Sequence, residues 1–306
     1  MRSFLLRRFL QAIPVLAGVC TLVFALIHLI PGDPVQVMLG EGARAVDVDD
    51  LRARLGLDRP LFIQYVDFLV GLCRGTMGLS IRYREPVARL ILERYPATLC
   101  LAAASLILAT LIAFPAGILA AMRRGSAWDS LASFVALLGL SMPNFWIGPL
   151  LILAFSVRLN WLPVSGMERP SSIVLPALTL GAALAAVLAR MIRSCLLEEV
   201  GLPYASAARA KGLAEWRVVL VHALKNALIP VLTVLGLQLG VLLTGAIITE
   251  TIFGWPGLGR LTIQAIETRD YPLVQGCVLM IALTYVAVNL ATDIAYIILD
   301  PRIRRA

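Results

Sequence analysis

The chain has 306 residues, of which 59% are hydrophobic, and its mean hydropathy is +0.86. Soluble domains carry roughly 45–50% apolar residues, so this composition indicates an integral membrane protein and argues against a soluble enzyme. The formal net charge is +8; membrane topology accounts for it without a nucleic-acid partner.

Six runs that lack Asp, Glu, Lys and Arg predict membrane-spanning helices, and each has the ~20 residues that a crossing needs. The first run is too long for the apolar part of a signal peptide, and it lacks an A-x-A cleavage site, so we interpret it as a retained span. The predicted fold class is therefore an all-α integral membrane protein with six transmembrane helices and both termini on one side. The runs cover residues 9–30, 97–122, 130–157, 170–189, 226–249 and 271–292.

The charges divide unequally between the two sides of this predicted topology. The side with the termini and the loops at 122–130 and 190–225 holds 14 of the 27 basic and six of the 19 acidic residues, which leaves 13 of each for the other side. The positive-inside rule therefore places both termini in the cytoplasm. The predicted segments are the N-terminus with the first span (1–30), an extracytoplasmic segment (31–96), a transmembrane core (97–299) and a cytoplasmic tail (300–306).

The extracytoplasmic segment contains two predicted short amphipathic helices, at Asp49–Leu57 and Pro60–Leu72. They would lie outside the membrane or at its surface. One interpretation is a solvated loop that rests on lipid headgroups.

A second irregular stretch on this side covers residues 250–269. Gly254, Pro256, Gly257 and Gly259 are expected to prevent a continuous helix there. Two aromatic residues accompany them, and aromatic side chains are frequent where membrane and water meet. We therefore expect Phe253 and Trp255 at the membrane interface.

The stretch from Gly201 to Pro230 is polar, rich in alanine and basic, although it lies between two apolar runs. Pro203 suits the first turn of a helix and Gly212 the position just past its end, which predicts a helix from Tyr204 to Lys211. A second short helix is predicted from about Glu215 to Leu224.

The first of these two helices has a face with small side chains at its centre. Tyr204, Ala207, Ala208 and Lys211 follow i, i+3, i+4, i+7 spacing and share this face. Another protein could therefore approach the backbone closely here.

The sequence contains no recognisable catalytic or metal-binding motif. It has no G-x-x-x-x-G-K-[ST] loop for nucleotide phosphates, no G-x-S-x-G and no H-E-x-x-H. The five cysteines are scattered without paired spacing and are interpreted as packing residues. The chain is therefore not expected to be an enzyme or to hold a metal or cofactor.

Polar residues inside the spans mark a candidate pathway, because such residues are costly in lipid and tend to face a cavity. Pro143 is expected either to break its span beside a cavity or to make a kink that a neighbouring helix satisfies. For Gln238 and Thr244 the alternative is hydrogen bonding between helices. The candidate residues are Pro143, Asn144, Gln238, Thr244 and Asn289.

Several short motifs resemble those of one transporter family. The stretch at 201–230 carries ARAKG (Ala208–Gly212) and HALKNALIP (His222–Pro230), which are similar to the coupling loop of ABC importer permeases of the dipeptide, oligopeptide and nickel branch. Three positions depart from the general importer pattern, namely Ser206 for Glu, His222 for Ile and Lys225 for Pro. Further similar motifs, in the same order as in the family, are PGDP (31–34), LGLD (55–58), SMPNFW (141–146), WLP (161–163), FGWPGLGR (253–260), RDYPLVQ (269–275) and DPRIR (300–304).

The resemblance implies a type I ABC importer permease in the bacterial inner membrane. Its implied partners are a paralogous second permease, two ATPase subunits or domains that bind the ATP, and an extracytoplasmic solute-binding protein that docks on the segment at 31–96. The residues that it implies for contact with the ATPase are Tyr204, Ala207, Ala208, Arg209, Lys211, Gly212 and Glu215.

Two rival classes remain at this point, a membrane-embedded enzyme and a self-contained channel. Within the resembled family the solute could be a short peptide, a nickel chelate or glutathione. A tight site for bare nickel would need converging imidazole or comparable ligands, and the two histidines, His28 and His222, lie on opposite sides of the predicted membrane. This favours a peptide.

Overall fold

The computed structural model describes residues 2–29, 35, 52–53 and 58–299. The predicted helix at Asp49–Leu57 lies almost entirely outside the described residues, as do the PGDP motif and the tail at 300–306. All regular elements in the described part are helical, apart from an isolated antiparallel bridge between Leu79 and Pro86.

The helices follow one another along the chain with short connections. They are α1 (Arg2–Leu29), α2 (Leu61–Cys73), α3 (Val87–Met122), α4 (Ala127–Ser141), α5 (Asn144–Leu151), the π-helix π1 (Ile152–Arg158), a 3₁₀ turn (Pro170–Ile173), α6 (Val174–Val200), α7 (Pro203–Ala210), α8 (Glu215–Arg217), the π-helix π2 (Val218–Ala223), α9 (Leu224–Ile252), α10 (Leu258–Glu267) and α11 (Tyr271–Leu299).

Four of these helical segments in the described part are long and apolar enough to cross a membrane: Val87–Met122, Pro170–Val200, Glu215–Leu243 and Tyr271–Ile294. A fifth is added if α4 and the helix that begins with α5 count as one bent span. In α1 the apolar stretch Leu10–Ala25 is shorter. The all-helical membrane architecture is thus confirmed, whereas the number of six spans stays a prediction.

The third predicted span is broken at its middle. α4 and the helix that follows it are bent by 107°. Pro143 was predicted to lie inside the span, but it stands between the two helices in extended conformation and precedes the first residue of α5. The proline ring also disfavours helical geometry at the residue before it, and Met142 is accordingly extended. The chain therefore turns sharply here and does not merely kink.

The chain forms two compact units, one of which is built on residues 98–255 with the end of α11 from 288 onward. In this unit α6 packs against α4, α5 and α9, and 61% of its apolar window is buried, the largest share among the spans. Small residues make the close approach possible. A Cβ atom added at Gly181 of α6 would lie only 2.8 Å from the backbone oxygen of Ser105 in α3.

The other unit comprises the chain up to residue 97 together with 256–287. Its core joins α3, α10 and α11 through Val87, Ile91, Leu258, Leu261, Ala265, Leu273 and Cys277. Gly259 was expected to interrupt the helix, but it lies within α10. Because α10 begins only after Gly257, the break in helical structure is confined to residues 253–257.

The prediction of an amphipathic helix at Pro60–Leu72 is confirmed by α2. One side of α2 contacts α1, where the hydroxyl groups of Tyr65 and Thr21 lie 2.7 Å apart and the Tyr65 ring meets Phe24 edge-on. None of its residues is fully buried.

Phe253 and Trp255 do not form the exposed aromatic surface that the prediction of a membrane-interface position implies. Their side chains are 1% and 2% exposed, and they are among the largest fully buried side chains of the described residues. The backbone amide of Gly166 donates to the Phe253 carbonyl oxygen (2.9 Å), and that of Trp255 to the Glu250 carbonyl oxygen (2.8 Å). These bonds turn the chain back into its own unit, so the aromatic rings fill its core.

Candidate functional site

The loop between α6 and α9 forms the helix that the sequence predicts, to within one residue at each end. α7 begins at Pro203, whose fixed φ and missing amide suit a first turn. It ends in a Schellman motif: the amide of Leu213 donates to the Ala208 oxygen, and that of Gly212 donates to the Arg209 oxygen. Gly212 has φ +83°, a conformation that glycine adopts without strain.

The single face predicted for α7 is wrong, because the structure divides its residues between two faces. Ala205 and Ala208 are buried against Val218 of π2, and Tyr204 packs on the same cluster. α7 folds back on the start of the next helix, so Ala208 meets the chain itself. The opposite face is exposed and comprises Pro203, Ser206, Ala207, Ala210 and Lys211; we call it the outer face of α7.

Arg209 fastens the end of α7 to both neighbouring helices. Its Nε and Nη2 atoms donate to the two carboxylate oxygens of Glu215 at 2.9 and 2.8 Å, and Nη1 donates to the carbonyl oxygen of Val200 at 3.2 Å. The hydrogen bonds to Glu215 raise the pKa of Arg209 above its ordinary value. Arg209 is thus engaged within the loop.

Tyr204 fastens the start of the same helix. Its hydroxyl donates to a carboxylate oxygen of Glu199 at the end of α6, and the amide nitrogen of Asn226 in α9 donates to that oxygen at 3.3 Å. Burial and the bond to Glu199 raise the pKa of Tyr204, so the phenol keeps the proton that it donates. The two ends of α7 are therefore tied to α6 and to the helix that follows.

The second short helix predicted from Glu215 to Leu224 does not end where expected. α8, π2 and α9 follow one another without a break, and the helix continues to Ile252 with Pro230 inside it. Asn226, just past the predicted end, lies inside α9, and its side-chain amide donates to the Tyr204 hydroxyl of the loop.

The structure separates two of the candidate pathway residues, Asn144 and Gln238, along α9. Asn144 starts α5, and a Cβ atom at Gly148 of α5 would lie 3.3 Å from Ile252 at the far end of α9. Gln238 lies 14 residues before Ile252, which is about 21 Å along the helix. Asn289 lies in α11, and Thr244 lies in α9, its side chain being outside the described part.

Of the four described side chains of this set, Pro143 is exposed and Asn144, Gln238 and Asn289 are half-buried. None of the three amides forms a hydrogen bond with another described residue. Hydrogen bonding between helices is therefore not supported for Gln238. No group of three or more His, Cys, Asp or Glu residues within the described ranges could hold a metal ion.

An ion pair near the loop was not anticipated from the sequence. Nε and Nη2 of Arg193 in α6 donate to the carboxylate of Asp129 at 2.6 and 2.8 Å, and the amide of Gly125 donates to the same carboxylate at 3.0 Å. The pair joins the first turn of α4 to α6. A helix-starting pattern, Ser126 followed by Asp129, is the signal that marks the carboxylate's position; its partner 64 residues away has no sequence signal.

These features define the class of the protein: a multi-pass helical membrane protein in which the loop between α6 and α9 carries a short helix with small, exposed residues on one face. Residues 113–305 match the family described as binding-protein-dependent transport system inner membrane component, and residues 1–102 match its N-terminal part. The chain belongs to this family, as an ABC importer permease of the peptide branch.

Relatives of known name align along the whole chain. The dipeptide transport system permease protein DppB of Escherichia coli (strain K12) is 44% identical over 336 residues, with 99% of both chains covered. The di/tripeptide transport system permease protein DppB of Pseudomonas aeruginosa (strain UCBPP-PA14) is 46% identical over 335 residues, with the same coverage. The glutathione transport system permease protein GsiC of E. coli (strain K12) is 43% identical over 304 residues, again covering 99% of both.

Solved structures support the fold. The inward-facing MetNI methionine ABC transporter matches with a TM-score of 0.58 at 20% identity, covering 69% of this chain and 96% of that one. An amino acid ABC transporter with histidines matches with a TM-score of 0.53 at 21% identity, covering 70% and 94%. In this family the permease is not an enzyme, and the ATPase is a separate subunit.

Proposed function

We propose that the chain is the peptide-translocating permease subunit of an ABC importer, with six spans and both termini in the cytoplasm. It would pair with a paralogous permease, receive its solute from an extracytoplasmic binding protein and be driven by two ATPase subunits. The observation that carries this proposal is identity of 44–46% to dipeptide and di/tripeptide permeases over 99% of the chain.

The outer face of α7 is the proposed contact with the ATPase. Its exposed members are small or short at the centre, Ser206 and Ala207, so that a partner surface could reach the helix backbone. Of the residues implied by the family resemblance, Ala207 and Lys211 would touch the partner. Tyr204, Ala208, Arg209, Gly212 and Glu215 would act by holding α7 in place.

Glutathione is the second candidate solute, supported by the 43% identity to GsiC. Glutathione is itself a tripeptide, so both candidate solutes need the same kind of pathway, a wide polar route without a tight binding site. Half-buried amides that lack partners among the described residues, those of Asn144, Gln238 and Asn289, suit such a route.

Uptake by a deletion strain that carries the gene on a plasmid tests the solute. We expect labelled dipeptide or tripeptide uptake to depend on the gene, and labelled nickel uptake not to. Glutathione uptake without dipeptide uptake would favour the second candidate. Gene-dependent nickel uptake with unchanged peptide uptake would reject the peptide assignment altogether.

A further inference from the structure

A small hairpin before α3 is closed by backbone hydrogen bonds. Residues 79–86, which we call the arginine hairpin, close through the Leu79–Pro86 bridge. The amide of Ser80 donates to the Glu85 oxygen at 2.9 Å, and the amide of Arg84 donates to the Ser80 oxygen at 3.0 Å. These bonds fix the backbone of the whole turn.

A buried carboxylate anchors this hairpin to the start of α11. Asp270 has no exposed surface. It accepts hydrogen bonds from the Ser80 hydroxyl, from the backbone amide of Arg82 at 3.1 Å and from the amide of Leu273 at 3.3 Å. The last bond caps the first turn of α11. One carboxylate therefore holds the hairpin and the turn at 268–270 together.

Two arginines at this place adopt a backbone conformation that side chains rarely take. Arg84 has φ 56° and Arg269 has φ 52°. Glycine or asparagine would fit the left-handed region with less strain. Strained residues of this kind persist where the surrounding structure fixes them, and they cluster at functional sites.

The same surface carries three cationic side chains without partners among the described residues. Arg82, Arg84 and Arg269 are exposed, and none forms an ion pair or side-chain hydrogen bond with any residue that the structure describes. The nearby Glu85 lies 3.8 Å from Arg89. Tyr83 and Leu79 add exposed apolar surface, at 41% and 63%. Asp270 accepts from the backbone amide of Arg82 and directly follows Arg269, so the backbones of these two arginines are held close together.

We propose that the arginine hairpin and Arg269 form the docking surface for an acidic patch on the extracytoplasmic solute-binding protein. The proposal rests on the proposed topology, which places this surface outside the cytoplasm. Guanidinium groups bind carboxylates through paired hydrogen bonds. Arginines carried on a hydrogen-bonded backbone suit a folded acidic surface, because less order has to be imposed on binding, whereas fluid lipid headgroups need no such preorganised backbone.

Transport by the complete complex in proteoliposomes tests the proposal. Purified solute-binding protein loaded with labelled dipeptide is added outside, and uptake is measured against its concentration. For the triple variant Arg82→Gln, Arg84→Gln, Arg269→Gln we expect the half-saturating concentration to rise about 10-fold. Added salt should raise that concentration for the wild type and much less for the variant, because the screened charges are gone.

Two further variants separate docking from misfolding and from a general charge effect. Replacement of the three arginines by lysine keeps the charges, so most of the salt dependence should remain. Arg74→Gln removes one exposed charge on the same side outside the hairpin and should leave the curve unchanged.

Other outcomes would overturn the proposal. An unchanged half-saturating concentration in the glutamine triple variant excludes docking at this surface. If the half-saturating concentrations of the wild type and the glutamine triple variant differ only in liposomes with anionic lipid, the surface binds lipid headgroups instead. If wild-type uptake does not depend on the binding protein at all, the proposed function fails, which is a distinct result.

Discussion

Ala207 and Ala208 are adjacent in sequence and chemically identical, yet the structure gives them opposite roles. Ala207 is exposed on the outer face of α7, while Ala208 is 9% exposed against Val218 and Ala205. Helical periodicity alone could not separate them, because both lie within the face defined by Tyr204 and Lys211. Only the fold-back of α7 on π2 decides which side is inward.

Glutamate at each of the two positions should therefore give two different defects. Ala207→Glu places a charge on the proposed ATPase contact, and we expect loss of ATPase co-purification with an unchanged melting temperature of the permease. Ala208→Glu buries a charge without a partner, which costs several kcal/mol, so the melting temperature should fall as well.

Ala127→Glu is the matched control, because Ala127 is exposed in the first turn of α4, where a negative charge is favourable. Normal ATPase association in Ala207→Glu would show that the outer face of α7 does not contact the ATPase. Equal melting temperatures of the Ala207 and Ala208 variants would contradict the inward packing.

Variants of the Arg209–Glu215 pair test whether Arg209 holds α7 in place or itself contacts the ATPase. Both side chains are at least one-third exposed, so the pair contributes only about 0.2–1 kcal/mol to stability. Arg209→Glu should nevertheless weaken the ATPase stimulation by loaded binding protein, since α7 loses its tie to Glu215 and Val200.

The double exchange Arg209→Glu with Glu215→Arg should recover part of this stimulation, because the ion pair returns while the bond to the Val200 oxygen does not. The measurement is ATP hydrolysis by the reconstituted complex with and without loaded binding protein. Two single variants whose losses simply add in the double variant would show that each side chain contacts the ATPase independently.

At the scale of elements, the sequence predicts helices well and their ends less well. Pro203 and Gly212 favour the start and the end of a helix through their own backbone preferences, so α7 is predicted to within one residue at each end. The polar Asn226 forms a tertiary hydrogen bond to Glu199, and α9 runs through it. The burial of Phe253 and Trp255 depends on bonds to Gly166 and within the turn, partners that no local pattern reveals.

The close packing of α6 makes a prediction about glycine. In Gly181→Ala the new methyl carbon would lie 2.8 Å from the Ser105 backbone oxygen, which a side-chain movement cannot relieve. We expect a loss of roughly 1–3 kcal/mol, seen as a lower apparent melting temperature of the detergent-purified permease.

Gly18→Ala in α1 serves as the comparison, because nothing lies within 4 Å of its added methyl group and alanine favours a helix. Its melting temperature should match or exceed that of the wild type. If both alanine variants behave alike, the approach of α3 to α6 is looser than the structure indicates.

At the scale of the whole molecule, the proposed orientation rests on charge alone. The proposed cytoplasmic side holds 14 basic and six acidic residues, an asymmetry that sequence gives directly. The partners of the buried carboxylates cannot be predicted in this way: the ion pair of Asp129 with Arg193 and the hydrogen bond of Ser80 to Asp270 join residues 64 and 190 positions apart. Composition predicts the side of the membrane, whereas these contacts need the fold.

Cysteine labelling in intact cells checks the orientation. In a background without Cys20, Cys73, Cys100, Cys195 and Cys277, we expect Ser165→Cys to react with an impermeant thiol reagent. Ala214→Cys should react only after permeabilisation. Both positions are exposed, so accessibility is not the difference. Reaction of Ala214→Cys in intact cells would reverse the orientation and with it the assignment of α7.

The hydrogen bonds around α7 also define how long a segment must be exchanged to transfer this loop from one permease to another. A graft from Pro203 to Gly212 would cut the bonds of Tyr204 to Glu199 and of Arg209 to Val200 and Glu215. A graft of residues 199–226 would carry every one of those partners with it, including Asn226. The smallest exchangeable cassette that keeps these bonds therefore has 28 residues, 199–226, against the eight of α7, the helix proposed to contact the ATPase.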